Sequence, residues 1–161
     1  MLHVIFVLLV LLYIIHYTLY INVIEAYVVS SLGSEALQIE INTNVTATIG
    51  DTNVELWCSY IKDDGEYIFY IKMEARNKTS EKYLQIAAFY PENSIESDLR
   101  GDLTGRVSLT NPSDESSKAI LTFNKIQCVD DTDYICSISY KTNDIIHTKY
   151  TNSTSITVTS K

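Results

Sequence analysis

The amino-acid sequence predicts an all-β chain, folded as a two-sheet β-sandwich behind a hydrophobic N-terminal segment. Three observations predict it. From Leu37 onward, short runs alternate apolar with polar residues and are separated by polar turn signals, as half-buried strands do. Cys58 and Cys136 each sit inside such a run, far apart in the chain. The stretch Asp130-Asp131-Thr132-Asp133-Tyr134-Ile135-Cys136 sets a tyrosine two residues before a cysteine and an aspartate four residues before the tyrosine. That is the pattern of a sandwich corner, in which the Tyr hydroxyl bonds back to the loop backbone.

At 161 residues the chain is long enough for one domain with its own core plus an export segment. Leu2–Ile15 (LHVIFVLLVLLYII) is almost wholly apolar, about as long as the core of a signal peptide and shorter than a membrane span. The continuation through Ile24 is amphipathic and extends it to a marginal span. No Lys or Arg flanks either end, so the positive-inside rule has nothing to act on. The expected organisation is a signal peptide over 1–26, a short linker over 27–36 and a folded domain over 37–161. Ala26 and Ser31 both remain open as the residue before cleavage. The alternative is an uncleaved N-terminal helix that anchors the chain at the cell surface, or a piece of a longer multi-domain protein. Secretion and anchoring alike place the domain in an oxidising, glycosylating compartment. Three N-glycosylation sequons fit that placement, at Asn44, Asn77 and Asn152, whereas Asn111-Pro-Ser is excluded by its proline.

The formal net charge is −8. All 12 Lys and Arg lie from Lys62 onward, and cleavage after Ala26 would leave them against 19 acidic residues, a net −7. That sign argues against nucleic acid or an anionic membrane as partner, since both reward basic patches.

Taken in order, Leu37–Ile41 alternates as a strand, and Val45–Ile49 follows and ends at the turn signal Gly50-Asp51. Val54–Tyr60 is the next strand. Val54, Leu56 and Cys58 share one of its faces and Trp57 points the other way. Lys62–Glu66 is a polar turn, Tyr67–Met73 a strand, and Glu74–Glu81 a polar loop. Lys82–Tyr90 is a strand that Pro91 ends. Residues 91–104 read as irregular. Gly105–Thr110 and Lys118–Asn124 are strands on either side of a turn. Asp133–Tyr140 is the strand after the corner, and Ile145–Val158 is the last, interrupted near Asn152.

From about Gln38 to Val158, this succession and its Tyr134-Ile135-Cys136 corner resemble a V-type immunoglobulin domain, most closely those of invertebrate secreted or cell-surface recognition proteins. The resemblance implies a disulfide between Cys58 and Cys136 that ties the two sheets. It implies an ion pair between Arg106 and Asp130 beside the Tyr134 corner. It also implies that Tyr70 fills the slot of the family's buried tryptophan, with the alternative register placing Phe69 inside. Tyr for Trp is a departure from the family pattern, and so is the missing glycine bulge in the last strand.

Three cysteines leave Cys128 over. It reads as a partly buried free thiol, as an intermolecular disulfide that makes a homodimer, or as part of another pairing such as with Cys58. Asp130, Asp131 and Asp133 do not make a metal site, because Asp130 is taken by the corner and strand alternation separates the others. No cofactor or metal motif occurs. No nucleophile elbow, phosphate loop or HExxH occurs either, and His147 is the only histidine after the N-terminal segment. The chain is therefore expected not to be an enzyme. Its 12 tyrosines point to binding instead, because Tyr offers contact area at low entropic cost. Tyr83, Tyr90, Tyr140 and Tyr150 fall on the strands at 82–90, 133–140 and 145–158, which share a sheet face in V-type domains. That face is expected to bind an extracellular protein or glycan, in immune recognition or cell adhesion.

Overall fold

The structure, a computed structural model, describes residues 13–20, 37–91, 97–113 and 115–160. The chain divides into two units, 1–36 and 37–161. In the first, residues 13–20 are helical, and the Tyr13 and Tyr17 rings stack 6.3 Å apart, one helical turn from each other. No described helix is long and apolar enough to cross a membrane. The apolar run through Leu12, both candidate cleavage positions and the 27–36 linker lie outside the described residues.

The second unit is a two-sheet sandwich of eleven described strands. The smaller sheet holds β1 (Gln38–Ile41), β3 (Val54–Ile61), β8 (Lys118–Phe123) and β7 (Val107–Thr110), in that order. The larger runs β2 (Val45–Thr48), β11 (Thr154–Thr159), β9 (Thr132–Thr142), β4 (Tyr67–Arg76), β5 (Tyr83–Phe89) and β6 (Asp98–Leu99). β10 (Ile145–Tyr150) pairs beside β9 on the edge that β11 takes lower down. Every pairing is antiparallel except that of β2 with β11.

Alternation explains which side chains fill the core. Leu56, Cys58 and Tyr60 point inward from β3, Ala119, Leu121 and Phe123 from β8, and Tyr134, Cys136, Ile138 and Tyr140 from β9. Each fully buried Leu, Ile or Phe among them contributes about 1.5–3 kcal/mol by leaving water. Cys58 and Cys136 are bonded across the sheets, with Cα atoms 6.3 Å apart. Trp57 faces out, as alternation from Cys58 requires, and the Lys118 ammonium lies 4.3 Å from its ring centre.

The corner before β9 is built as a polar knot. The Tyr134 hydroxyl donates to the Asp130 carbonyl at 2.9 Å. Both Asp130 carboxylate oxygens accept from Arg106 Nη2 at 2.8 Å, and one also accepts the Gln127 N–H at 2.8 Å. A short 3-10 turn over Cys128–Asp130 delivers the carboxylate to that position, where it is 4% exposed.

The structure corrects the expectation for Tyr70. β4 carries a bulge between Ile68 and Tyr70, so that Phe69 is an extra residue against β9. A bulge inverts the alternation beyond it. Ile68 is therefore inside, and so are Ile71 and Met73, while Tyr70 and Lys72 face out. Ile71 and Met73 supply the apolar core contacts of β4, and the Tyr70 hydroxyl does not have to be desolvated. Phe69 does not enter the core either. It is half-buried, and its ring meets that of Tyr67 edge-on at 5.2 Å.

Candidate functional site

The inward set of β9 dictates its outward set, which is Ser137, Ser139 and Lys141. Sheet pairing then aligns long side chains on either side of them. Ser139 lies between Tyr70 of β4 and Thr148 of β10, and Ser137 between Lys72 and Tyr150. Lys141 lies between Tyr67 and Ile146, and Ala88 of β5 sits next to Lys72. Ser137, Ser139 and Ala88 are nearly inaccessible although they point away from the core. They form a valley of small residues beneath taller neighbours.

The tall residues are held by one another. Lys72 Nζ lies 4.7 Å from the centre of the Tyr70 ring, and Tyr70 and Tyr90 meet edge-on at 6.5 Å. The Tyr90 hydroxyl donates to Asp98 Oδ2 at 3.0 Å, a bond that raises its pKa by holding the proton. Ser139 and Thr148 share a hydroxyl hydrogen bond at 3.1 Å. At the rim, Ile146 and Tyr150 are about two-thirds exposed. β10 leaves β9 at Thr151, whose N–H donates to the Cys136 carbonyl and whose hydroxyl accepts the Cys136 N–H. This latch pins the end of β10 that carries Tyr150.

At one end of this face lies a cleft of about 580 Å³, between the loop at 62–66 and the turn from β9 to β10. Gly65, Tyr67, Phe69, Lys141, Asn143 and Asp144 line it. Asn143 and Asp144 both have positive φ, the geometry of the tight hairpin turn that matches strand twist. Lys141 Nζ bridges the turn to Asp144 Oδ1 at 2.7 Å.

Of the four tyrosines expected on a binding face, the structure brings Tyr90 and Tyr150 to it. Tyr83 sits at the opposite end of β5, paired with Arg76. Tyr140 is a correction. It is 8% exposed and points into the sandwich, with its ring 5.3 Å from that of His147. Two steps of alternation from the buried Cys136 place it there. Sequence reasoning missed Tyr70, Tyr67, Phe69 and Ile146. The bulge hid Tyr70 alone, since a buried Tyr70 already implies by alternation that Tyr67 and Phe69 face out. Ile146 was legible only through its pairing with Lys141.

Cys128 also departs from the expectation of a partly buried thiol. It is free and exposed on the corner turn, and the bond between Cys58 and Cys136 rules out its pairing with Cys58. The sequon asparagines Asn44, Asn77 and Asn152 are all exposed. Asn77 Oδ1 accepts the N–H of Thr79 and of Ser80, each at 2.9 Å, and Asn44 Oδ1 accepts the N–H of Ser155 at 3.1 Å.

This architecture has a counterpart among solved structures. The structure of murine CRIg matches with a TM-score of 0.64 at 18% sequence identity, over 76% of this chain and 98% of that one. The chain has a V-type immunoglobulin-like fold. At that identity the likeness carries the fold and leaves the partner open. No protein-family model and no curated protein matches the chain. A sandwich of this kind with an inter-sheet disulfide fits an extracellular or cell-surface location.

Proposed function

We propose that this protein is a secreted, N-glycosylated, non-catalytic recognition protein that binds an extracellular partner through the outer face of its larger sheet. The observation that carries the reading is the ring of Tyr70, Tyr90, Tyr150, Ile146 and Lys72 around the valley of Ser137, Ser139 and Ala88. The sandwich core needs none of these side chains. Aromatic residues next to a depression, held by mutual contacts, are what a binding hot spot requires. The fold supports a role in immune recognition or adhesion, and the partner is a protein or glycan at a cell surface.

The test is binding of a bivalent fusion of the chain to a panel of cells, compared with a Tyr70→Ala, Tyr150→Ala double variant. Loss of two hot-spot tyrosines at about 2 kcal/mol each should reduce binding by two orders of magnitude or more at unchanged thermal stability. Cell binding that is unaltered in the double variant would show that another surface makes the contact.

A further inference from the structure

We infer that the cleft between the loop at 62–66 and the Asn143–Asp144 turn binds a neutral mono- or disaccharide unit. This rests on the reading of the adjoining sheet face as the recognition surface, and it names the class of ligand group that the end of that face accepts.

A pyranose ring has an apolar face of C–H groups and a rim of hydroxyls. A site for it pairs an aromatic ring with a few fixed donors and acceptors. The cleft supplies both. Tyr67 and Phe69 form an edge-to-face pair at 5.2 Å, each half-buried, and so present ring surface without being free to fold away. Asn143, Asp144 and Lys141 line the same cleft and bring an amide, a carboxylate and an ammonium to it. The volume of about 580 Å³ is within the range of small-ligand sites and would hold one or two sugar rings.

Charge decides between kinds of sugar. Lys141 and Asp144 are bonded to each other at 2.7 Å, so their charges cancel. An acidic sugar would have to separate this pair and compete with Asp144 for the ammonium. A neutral hydroxyl can donate to the carboxylate while the bridge stays whole. The frame is also set beforehand. Glu66 Oε2 accepts the Asp63 N–H at 2.8 Å and closes the loop, and the pairing of Thr142 with Ile145 and the Lys141–Asp144 bridge close the turn. Less ordering then remains to be done on binding.

Saturation-transfer NMR on the full chain, expressed in an export-competent cell and enzymatically stripped of its own N-glycans, tests this. The probes are methyl β-galactopyranoside, methyl α-mannopyranoside and methyl β-N-acetylglucosaminide at millimolar concentration, with the methyl glycoside of N-acetylneuraminic acid as the charged comparator. At least one neutral probe should receive saturation. Phe69→Ala should reduce the transfer several-fold, Phe69→Tyr should keep it, and Asp144→Asn should weaken it. No transfer to any neutral probe, transfer that survives Phe69→Ala, or stronger transfer to the charged probe would each overturn the inference. The Tyr70→Ala, Tyr150→Ala variant separates the two readings. If it loses cell binding while no sugar is bound by the parent chain, the sugar site falls and the recognition face stands. If it keeps cell binding while Phe69-dependent sugar transfer persists, the face falls and the cleft stands.

Discussion

The Tyr134 hydroxyl and the Asp130 carbonyl, four residues apart, are joined by a buried 2.9 Å hydrogen bond that closes the corner leading into β9. Everything the candidate site presents from β9 depends on where this corner starts the strand, because a shift of one residue would turn each outward side chain inward.

Burial, together with the nearby Asp130 charge, pushes the Tyr134 hydroxyl well above the ordinary tyrosine pKa. The folded state therefore keeps its proton where the unfolded chain gives it up. The resulting stability is fully present below about pH 10 and is lost as pH rises further, by up to about 1.4 kcal/mol per pH unit for one proton. Urea unfolding measured across that range should show a steeper alkaline loss for the parent than for Tyr134→Phe. At neutral pH, Tyr134→Phe should cost about 1 kcal/mol for the missing bond. Parallel alkaline profiles for the two proteins would mean that the hydroxyl is not held as described.

Arg106→Ala should be among the most destabilising single changes in the domain. Asp130 is 4% exposed, and Arg106 Nη2 is the cation bonded to both its oxygens. Removing one partner of a buried pair leaves an uncompensated charge and costs about 3–5 kcal/mol. Adding Asp130→Asn should recover part of that loss, since the charge goes with it. Denaturant midpoints of the single and double variants give the answer. A loss below about 1 kcal/mol would place the pair with ordinary surface bridges.

The three cysteines should separate by accessibility. The bond between Cys58 and Cys136 spans 78 residues, and in the loop-entropy picture it contributes about 4–5 kcal/mol. Full reduction should therefore lower the thermal midpoint sharply, and an unchanged midpoint would contradict the estimate. Without denaturant or reductant, Cys128 alone should react with a thiol reagent. If the exported chain instead runs as a reducible dimer, the dimer should vanish in Cys128→Ser.

Much of the fold was legible in the sequence because strand alternation is a local signal. The succession of strands followed from short alternating runs. The pair of Arg106 with Asp130 and the bond between Cys58 and Cys136 were implied by the resemblance that the Tyr134 corner carries, and both are present. Even the break in the last strand near Asn152 appears, between β10 and β11. The candidate site was legible only in part. Tyr140 could have been placed inside by counting from Cys136, and reading it as surface overlooked that parity.

The sequence by itself determined which segments become strands, since that depends on side-chain chemistry repeated over a few residues. The bond between Cys58 and Cys136 was implied by the family resemblance, and the tertiary structure closed it. Only the tertiary structure decided which side of β4 meets solvent. A bulge is set by how two strands pair. The single extra residue Phe69 leaves Ile68, Ile71 and Met73 in the core and turns Tyr70 and Lys72 out beside Ser137 and Ser139. That choice makes the recognition face, and its physical reason is that three apolar side chains fill the core without burying a hydroxyl or an ammonium.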